Sequence, residues 1–400
     1  MTDLEHLSNP NNFSTDSWIS AFSNLRMKSP IHYVSQSPDG AYWSIVGYEQ
    51  ITSILNDWEN FSSTGGVTIE DQPEATRRTS FIKRDPPAHT RDRKEVATVL
   101  STHNLNKFKG RMSECISTTL DNLPAHESFD WVQLVANELS SKMLATMLNV
   151  SSEDRHKLIA WADLALFTDY AAADAPVSNS VEKFDKLREM ADYFAPIWKE
   201  RQSSFQEIDL ISALARKTPL EEMSIAEFIG QMNLLLIGGF DTIRNTISSS
   251  LIYVNKYPLE VEKVRLNPKL LPCFIAEIIR LHSPLIHLRR TAVRDVEVSG
   301  RLICKGNKVV LWLISGNRDE SKFENPNRLK LTRGNFRRHL SFGSGVHRCP
   351  GAQLAELQTT MLWDEIMRRN LQFQVLKPAV MLNSNFSRGI KQIRAKMISA

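Results

Sequence analysis

From Ser224 to Tyr257 the chain carries one long helical pattern. Apolar side chains recur at Phe228, Met232, Leu235 and Leu236 and on to Ile252, and Pro258 stops the run. Ser224 and Glu227 have the spacing of a capping box, which sets the start. About thirty residues at 1.5 Å each make a rod of about 45 Å, enough to cross a whole domain. The rest of the fold must be arranged around this helix. Its middle reads LLLIGGFDTIRNT, residues 234–246. Two glycines in a helix interior cost roughly 1 kcal/mol each relative to alanine. Either a neighbouring helix packs closely there, or the groove is widened so that a small ligand lies against the backbone. Asp241 and Thr242 follow at once, an acid and an alcohol suited to passing protons and hydrogen-bonding a bound oxygen species.

Around this helix the patterns are mainly helical from Pro87 to about Ala215, with polar breaks near 123–128 and 171–180. IHYVSQ and AYWSIVGY flank the turn SPDG and predict a hairpin. Short strands are expected at Arg289–Ala292, Val296–Val298 and Val309–Trp312, and extended structure returns in LQFQVL and IKQIRAKM. The expected fold class is mainly α with a small β region. Hydrophobic content of 42% and charged content of 24% are those of a globular protein. A net charge of +4 is too mild to argue for a nucleic-acid partner. The polar start MTDLEHLSNPNNFSTDSW has no apolar stretch of signal or anchor length, so no membrane attachment is expected. Four scattered cysteines form no disulfide framework and fit a cytoplasmic setting.

One of these cysteines, Cys349, sits in FGSGVHRCPG, residues 342–351. Gly343 and Gly345 can take positive φ and leave room for a close approach. Pro350 suits a first helical turn, and the helix after it carries Leu354, Leu357, Met361 and Ile366 on one face. At a helix N-terminus the thiolate is favoured. A thiolate presented this way is a ligand for haem iron. Two other readings stand beside this one. A lone cysteine is often a small buried hydrophobe, and zinc is a rival weakened by the lack of a CxxC pair.

The whole run resembles the FGxGxHxCxG haem loop of the cytochrome P450 superfamily, matched at Phe342, Gly343, Gly345, His347, Cys349 and Gly351. GGFDTI is similar to that family's oxygen-activation segment, with Gly238, Gly239, Asp241 and Thr242 matching. Ile243 stands where a second threonine is usual, and Phe240 is bulky. Glu277 and Arg280 in AEIIRLHSP match the family's ExxR pair, and Arg328 matches the position of its further partner. His89 and Arg93 in DPPAHTRDRKEV, Arg290 in LRRTA and His347 match residues that hold the haem propionates. The resemblance runs from AYWSIVGYEQI to SNFSRGI. LIHLRRTAVRDVEVSG and KVVLWLISGNRDE look like the bacterial alkane and fatty-acid terminal hydroxylase branch.

The resemblance implies one P450 domain over 1–400, a triangular helix-rich prism with the long helix over the haem. Its β-rich part would lie about 30–60, 289–312 and 371–400, and its helix-rich part about 87–282 and 350–369. It implies haem b bound through Cys349, dioxygen as co-substrate, and Asp241 and Thr242 as catalytic residues. It places a mostly apolar pocket on Val67, Ile69, Phe81, Leu166, Phe167, Leu235, Gly238, Leu285, Ile286, Leu288 and Phe386. His287 is the odd polar neighbour, facing either a substrate's polar group or a backbone carbonyl. Such a pocket takes an apolar substrate, in the first instance an aliphatic chain hydroxylated at or near its end. The alternatives are a natural-product tailoring enzyme for aromatic or terpenoid substrates, favoured by Phe240 and Ile243, and a non-catalytic haem protein. The expected donors are a ferredoxin and its NAD(P)H-dependent reductase, docking on Arg91, Lys94, Lys107, Lys109 and Arg348. The protein is expected to be a monomer.

Overall fold

The computed structural model describes residues 7–71, 78–166, 180–203 and 209–399. The long helix is built as Ile225–Leu236 and Thr242–Lys256 in α geometry, joined by a π-helical turn over Ile237–Asp241. Its start is the capping box. The Glu227 amide donates to Ser224 Oγ at 3.2 Å, and the Ser224 amide donates to Glu227 Oε2 at 3.0 Å. Pro258 opens the next helix, Pro258–Leu266, because a proline at a helix start gives up no hydrogen bond.

Helices Glu138–Leu148, Leu271–His282 and Ala352–Arg368 pack around this rod. Two tryptophans pin it by their indole N–H groups. Trp131 donates to the Ile247 carbonyl at 3.3 Å, and Trp363 donates to Ser250 Oγ at 2.7 Å. A buried indole needs such a partner, and both find it on the rod. One large apolar cluster runs through these helices, joining Val135, Leu236, Phe274 and Leu362. The Cys349-side helix buries Leu354 and Ile366, with Leu357 and Met361 packed half-buried beside them.

The largest sheet of the β part has five strands, and three smaller sheets of two or three strands accompany it among the described residues. Its strands are β1 (Ile31–Val34), β2 (Tyr42–Ile45), β3 (Phe61–Ser62), β4 (Leu288–Ala292) and β5 (Lys308–Leu311), in the order β1-β2-β5-β4-β3. The predicted hairpin pairs Ile31 with Ile45 and Val34 with Tyr42. Its turn closes where the Gly40 amide donates to the Ser37 carbonyl at 3.0 Å. β4 runs antiparallel to β5, with Arg290 opposite Val309. Alternation along β4 therefore puts Leu288 and Arg290 on one face and Arg289 on the other. The molecule is helix-rich with a small β region. Among the described residues no helix is long and apolar enough to cross a membrane.

Candidate functional site

The cysteine loop takes its shape from two glycines. Gly343 and Gly345 have φ of +68° and +69°, a conformation that costs other residues. At Gly345 a Cβ would meet the Leu55 carbonyl oxygen at 2.4 Å, so the loop lies flat against the Tyr48–Asn56 helix. The Cys349 amide donates to the Phe342 carbonyl at 2.8 Å and closes the loop. Gly351 caps the following helix, which begins at Ala352, so Pro350 precedes the first turn instead of forming it. Burial pushes the Cys349 thiol up, opposed by the Gly351 amide and by Arg93 and Arg348. A metal ion bound here would favour the thiolate by its own charge.

Four basic groups converge beside this loop. His89, on the Ala88–Val99 helix, packs against His347 with ring centroids 3.8 Å apart and the rings tilted by 42°. His347 Nε2 lies 3.1 Å from Ser63 Oγ, while the Nδ1 atoms of both histidines are buried with no hydrogen-bond partner among the described residues. Arg290 is buried and donates to the Arg289 carbonyl at 2.8 Å. Arg93 is half-buried one helical turn after His89. Burial, then Arg93, pushes His89 down to about 4. Burial, then Arg290, pushes His347 down to about 2. Burial also lowers Arg290 to about 10. A buried arginine, a half-buried one and two unpartnered imidazole nitrogens gathered in one place suit an anion.

Behind the loop lies a buried ion-pair network. Arg280 holds Glu277 in a two-pronged pair, Nε–Oε1 at 2.6 Å and Nη2–Oε2 at 2.9 Å. The third member is Arg333, whose Nε lies 3.0 Å from Glu277 Oε1. Arg328 does not fill that place. Its side chain is exposed, and only its carbonyl takes part, accepting from Arg280 Nη2 at 3.1 Å. The Leu271–His282 helix also braces the cysteine loop, since Ser341 Oγ donates to the Ile279 carbonyl at 2.8 Å.

In front of the loop is a cavity of about 720 Å³. Phe342, Gly343, His347, Cys349, Gly351, His89 and Arg93 line one end. Val67, Phe81, Leu166, Leu235, Gly238, Leu285, Leu288 and Phe386 line much of the rest, with Thr242 and Ile243, while Asp71, Arg78, Lys83 and Lys183 also reach its wall. Ile69 and Ile286 are not in its wall. Both are fully buried in a separate cluster with Trp312, on the far side of their segments. Phe167 lies outside the described residues. The two glycines of the long helix divide the two sequence readings between them. A Cβ on Gly239 would meet Leu144 Cδ1 at 2.7 Å, which is close helix packing, while one on Gly238 would meet nothing within 4 Å. The π turn lies across both, and Thr242 Oγ1 donates to the Gly238 carbonyl at 3.2 Å. Single π turns inside α-helices are frequent at functional sites.

A family model for Cytochrome P450 matches residues 20–396. The chain belongs to the cytochrome P450 family. It is 30% identical to "Linalool 8-monooxygenase" of Pseudomonas putida over 98% of each chain. It is 28% identical to "Methyl-branched lipid omega-hydroxylase" of Mycobacterium tuberculosis over 93% of this chain and 89% of that one. The solved "Cytochrome P450-153 from Novosphingobium aromaticivorans" superposes with a TM-score of 0.90 at 36% identity, covering 98% of each chain.

The protein is accordingly a P450 monooxygenase that carries haem b and uses dioxygen as co-substrate. The residues present fit that group. The cavity has Cys349 at one end, and the orphaned His89 and His347 nitrogens with Arg93 and Arg290 suit two propionate carboxylates.

Some partners escaped the sequence reading of this P450. The fully buried Asp241 accepts from Arg244 Nη2 at 2.6 Å and from Ser387 Oγ at 2.8 Å, so both its oxygens are engaged. Arg244 reaches on to Asp163 Oδ1 at 2.6 Å. Its i, i+3 spacing from Asp241 was the one signal available in the sequence. Ser387, 146 positions from Asp241, gave none. Phe240 is fully buried under the Arg244 guanidinium, 4.8 Å from its ring centre, and is not among the cavity's lining residues. Its bulk does not enter the groove, whereas Ile243 lines the cavity. His287 faces a backbone carbonyl, that of Asn385, at 2.8 Å.

Proposed function

We propose that this P450 hydroxylates an aliphatic chain at or near its end. The observation that carries the reading is the lining of the cavity, where Val67, Phe81, Leu166, Leu235, Leu285, Leu288 and Phe386 offer apolar surface opposite Cys349. Burying an apolar chain there releases about 25 cal/mol per Å². Likeness to a lipid omega-hydroxylase supports the same reading.

In this reading Cys349 is the iron ligand, and His89, Arg93, Arg290 and His347 hold the propionates, within one domain over 1–400. Haem b, when bound, supplies the activation of dioxygen and the oxidation of the C–H bond. The chain's own residues orient the substrate and move protons. Thr242 presents its hydroxyl beside the open face of Gly238, where its oxygen can accept a further hydrogen bond. Asp241 holds its carboxylate one residue away, restrained by Arg244 and Ser387, and passes protons inward when one of those bonds opens. Electrons come from a ferredoxin and its reductase in the cytoplasm. The ferredoxin docks on the exposed Arg91, Lys94, Lys107, Lys109 and Arg348 of a monomeric P450.

The test is an optical titration of the ferric protein with a series of alkanes and fatty acids. A Soret band moving from the low-spin toward the high-spin position supports the reading, and the best chain length measures the pocket. A spectrum unmoved by every aliphatic but moved by a monoterpenol favours the second reading, a terpenoid substrate. That reading rests on the likeness to linalool 8-monooxygenase.

A further inference from the structure

His287 is fully buried between the rings of Trp312, at 5.3 Å, and Phe386, at 5.5 Å. Its Nε2 lies 2.9 Å from the Ile69 amide and its Nδ1 2.8 Å from the Asn385 carbonyl. These partners decide the ring's state. A backbone amide can only donate and a carbonyl can only accept, so His287 is neutral, with its proton on Nδ1.

The two partners belong to the two segments that flank the stretch 284–289. On one side, the Arg289 amide donates to the Val67 carbonyl at 2.9 Å. On the other, the Ile286 amide donates to the Phe386 carbonyl at 2.8 Å, and the Arg388 amide to the Pro284 carbonyl at 2.8 Å. The imidazole fills a gap in this ladder and ties the segments together through one side chain. Val67 stands two residues before Ile69, and Phe386 one residue after Asn385. Both line the cavity, as do Leu285 and Leu288 on the central stretch.

We propose that His287 is a positioning residue for substrate selectivity. It never touches the substrate. By bonding Ile69 and Asn385 at once, it sets the separation of Val67 from Phe386 and so the width of the pocket between them. The selectivity part rests on the aliphatic reading above, while the clamp itself does not.

Two variants of the full-length holoenzyme test it. His287→Asn can keep a donor near the Nδ1 position and loses the acceptor for Ile69. His287→Gln places a carbonyl oxygen near the Nε2 position and keeps that acceptor. Hydrogen exchange is read on the peptide spanning 65–70, and the product positions are read with dodecanoic acid. The expected result is exchange about tenfold faster in His287→Asn, the factor for one lost buried hydrogen bond. His287→Gln should bring it back to within about twofold of the parent. The hydroxyl position should spread inward along the chain in both variants, because each loses one of the clamp's two bonds. A purely structural role would lower stability in both variants and move the product pattern in neither. Unchanged exchange in His287→Asn overturns the clamp. Faster exchange with an unchanged product pattern overturns the selectivity role. If the parent enzyme does not oxidise dodecanoic acid, the aliphatic reading fails instead, and exchange alone decides the clamp. If His287→Asn does not fold, parent-like exchange on 65–70 with a shifted product pattern in His287→Gln supports the proposal, and an unchanged product pattern overturns it.

Discussion

Asp241 and Ser387 meet at 2.8 Å, hydroxyl to carboxylate, although the long helix and the C-terminal segment bring them from 146 positions apart. The contact ties the acid beside Thr242 to the segment that carries Phe386 into the cavity. Arg244 takes the other carboxylate oxygen at 2.6 Å. If Asp241 carries protons as proposed, these two bonds hold it rigidly, and its loss should be felt in turnover more than in binding.

Replacing Asp241 by Asn should lower product formation by about a hundredfold, the low end for a lost general acid. The Soret shift with a bound substrate should persist, because the acid is not among the cavity's lining residues. Stopped-flow turnover beside equilibrium titration checks the split. A parallel loss of both would mean that the substitution has disturbed the helix instead.

The Glu277 network makes a contrast between two nearby arginines. Arg333→Ala removes a cation from a fully buried carboxylate and should cost about 3 kcal/mol. Arg328→Ala keeps the carbonyl that Arg280 uses and removes only an exposed side chain, so it should change stability by no more than about 0.5 kcal/mol. Denaturant midpoints followed by haem absorbance check both.

Two glycines of the long helix should respond in opposite ways. At Gly230 a Cβ would fall 2.0 Å from the Thr79 carbonyl oxygen, so Gly230→Ala must push a backbone segment away from the helix. A cost of about 2 kcal/mol or more is expected. Gly238→Ala meets nothing and should gain part of the roughly 1 kcal/mol difference in helix propensity. Its methyl group would enter the cavity and shorten the best-binding chain. Thermal midpoints and the alkane titration report the two effects.

Stability should fall below neutral pH through His287. Burial lowers it from 6.5 to about 4, so near pH 5 the unfolded chain binds a proton that the native state refuses. The contribution is complete above about pH 6.5 and is lost progressively as pH falls toward about 4, up to about 3 kcal/mol in order of magnitude. His282, fully buried and shifted the same way, adds to the slope. Replacing His287 by Gln should flatten the acid limb of a pH–midpoint curve.

Much of this was legible in local pattern. The capping box at Ser224 and Glu227, the stop at Pro258, the SPDG hairpin and the two positive-φ glycines of the cysteine loop each depend on residues within a few positions of one another. The basic groups His89, Arg93, Arg290 and His347 were legible through the resemblance, and they converge in space. Sequence alone determined the helix-rich class, the long central helix and the Cys349 loop, because backbone propensity, capping and glycine conformation are short-range effects. Tertiary structure decided the rest. It gave Glu277 to Arg333 in place of Arg328, turned Ile69 and Ile286 away from the cavity, buried Phe240 under Arg244 and set Ser387 against Asp241. Each of these depends on which face of one segment meets another far along the chain, and on how a buried charge finds its partner. No local pattern carries that information.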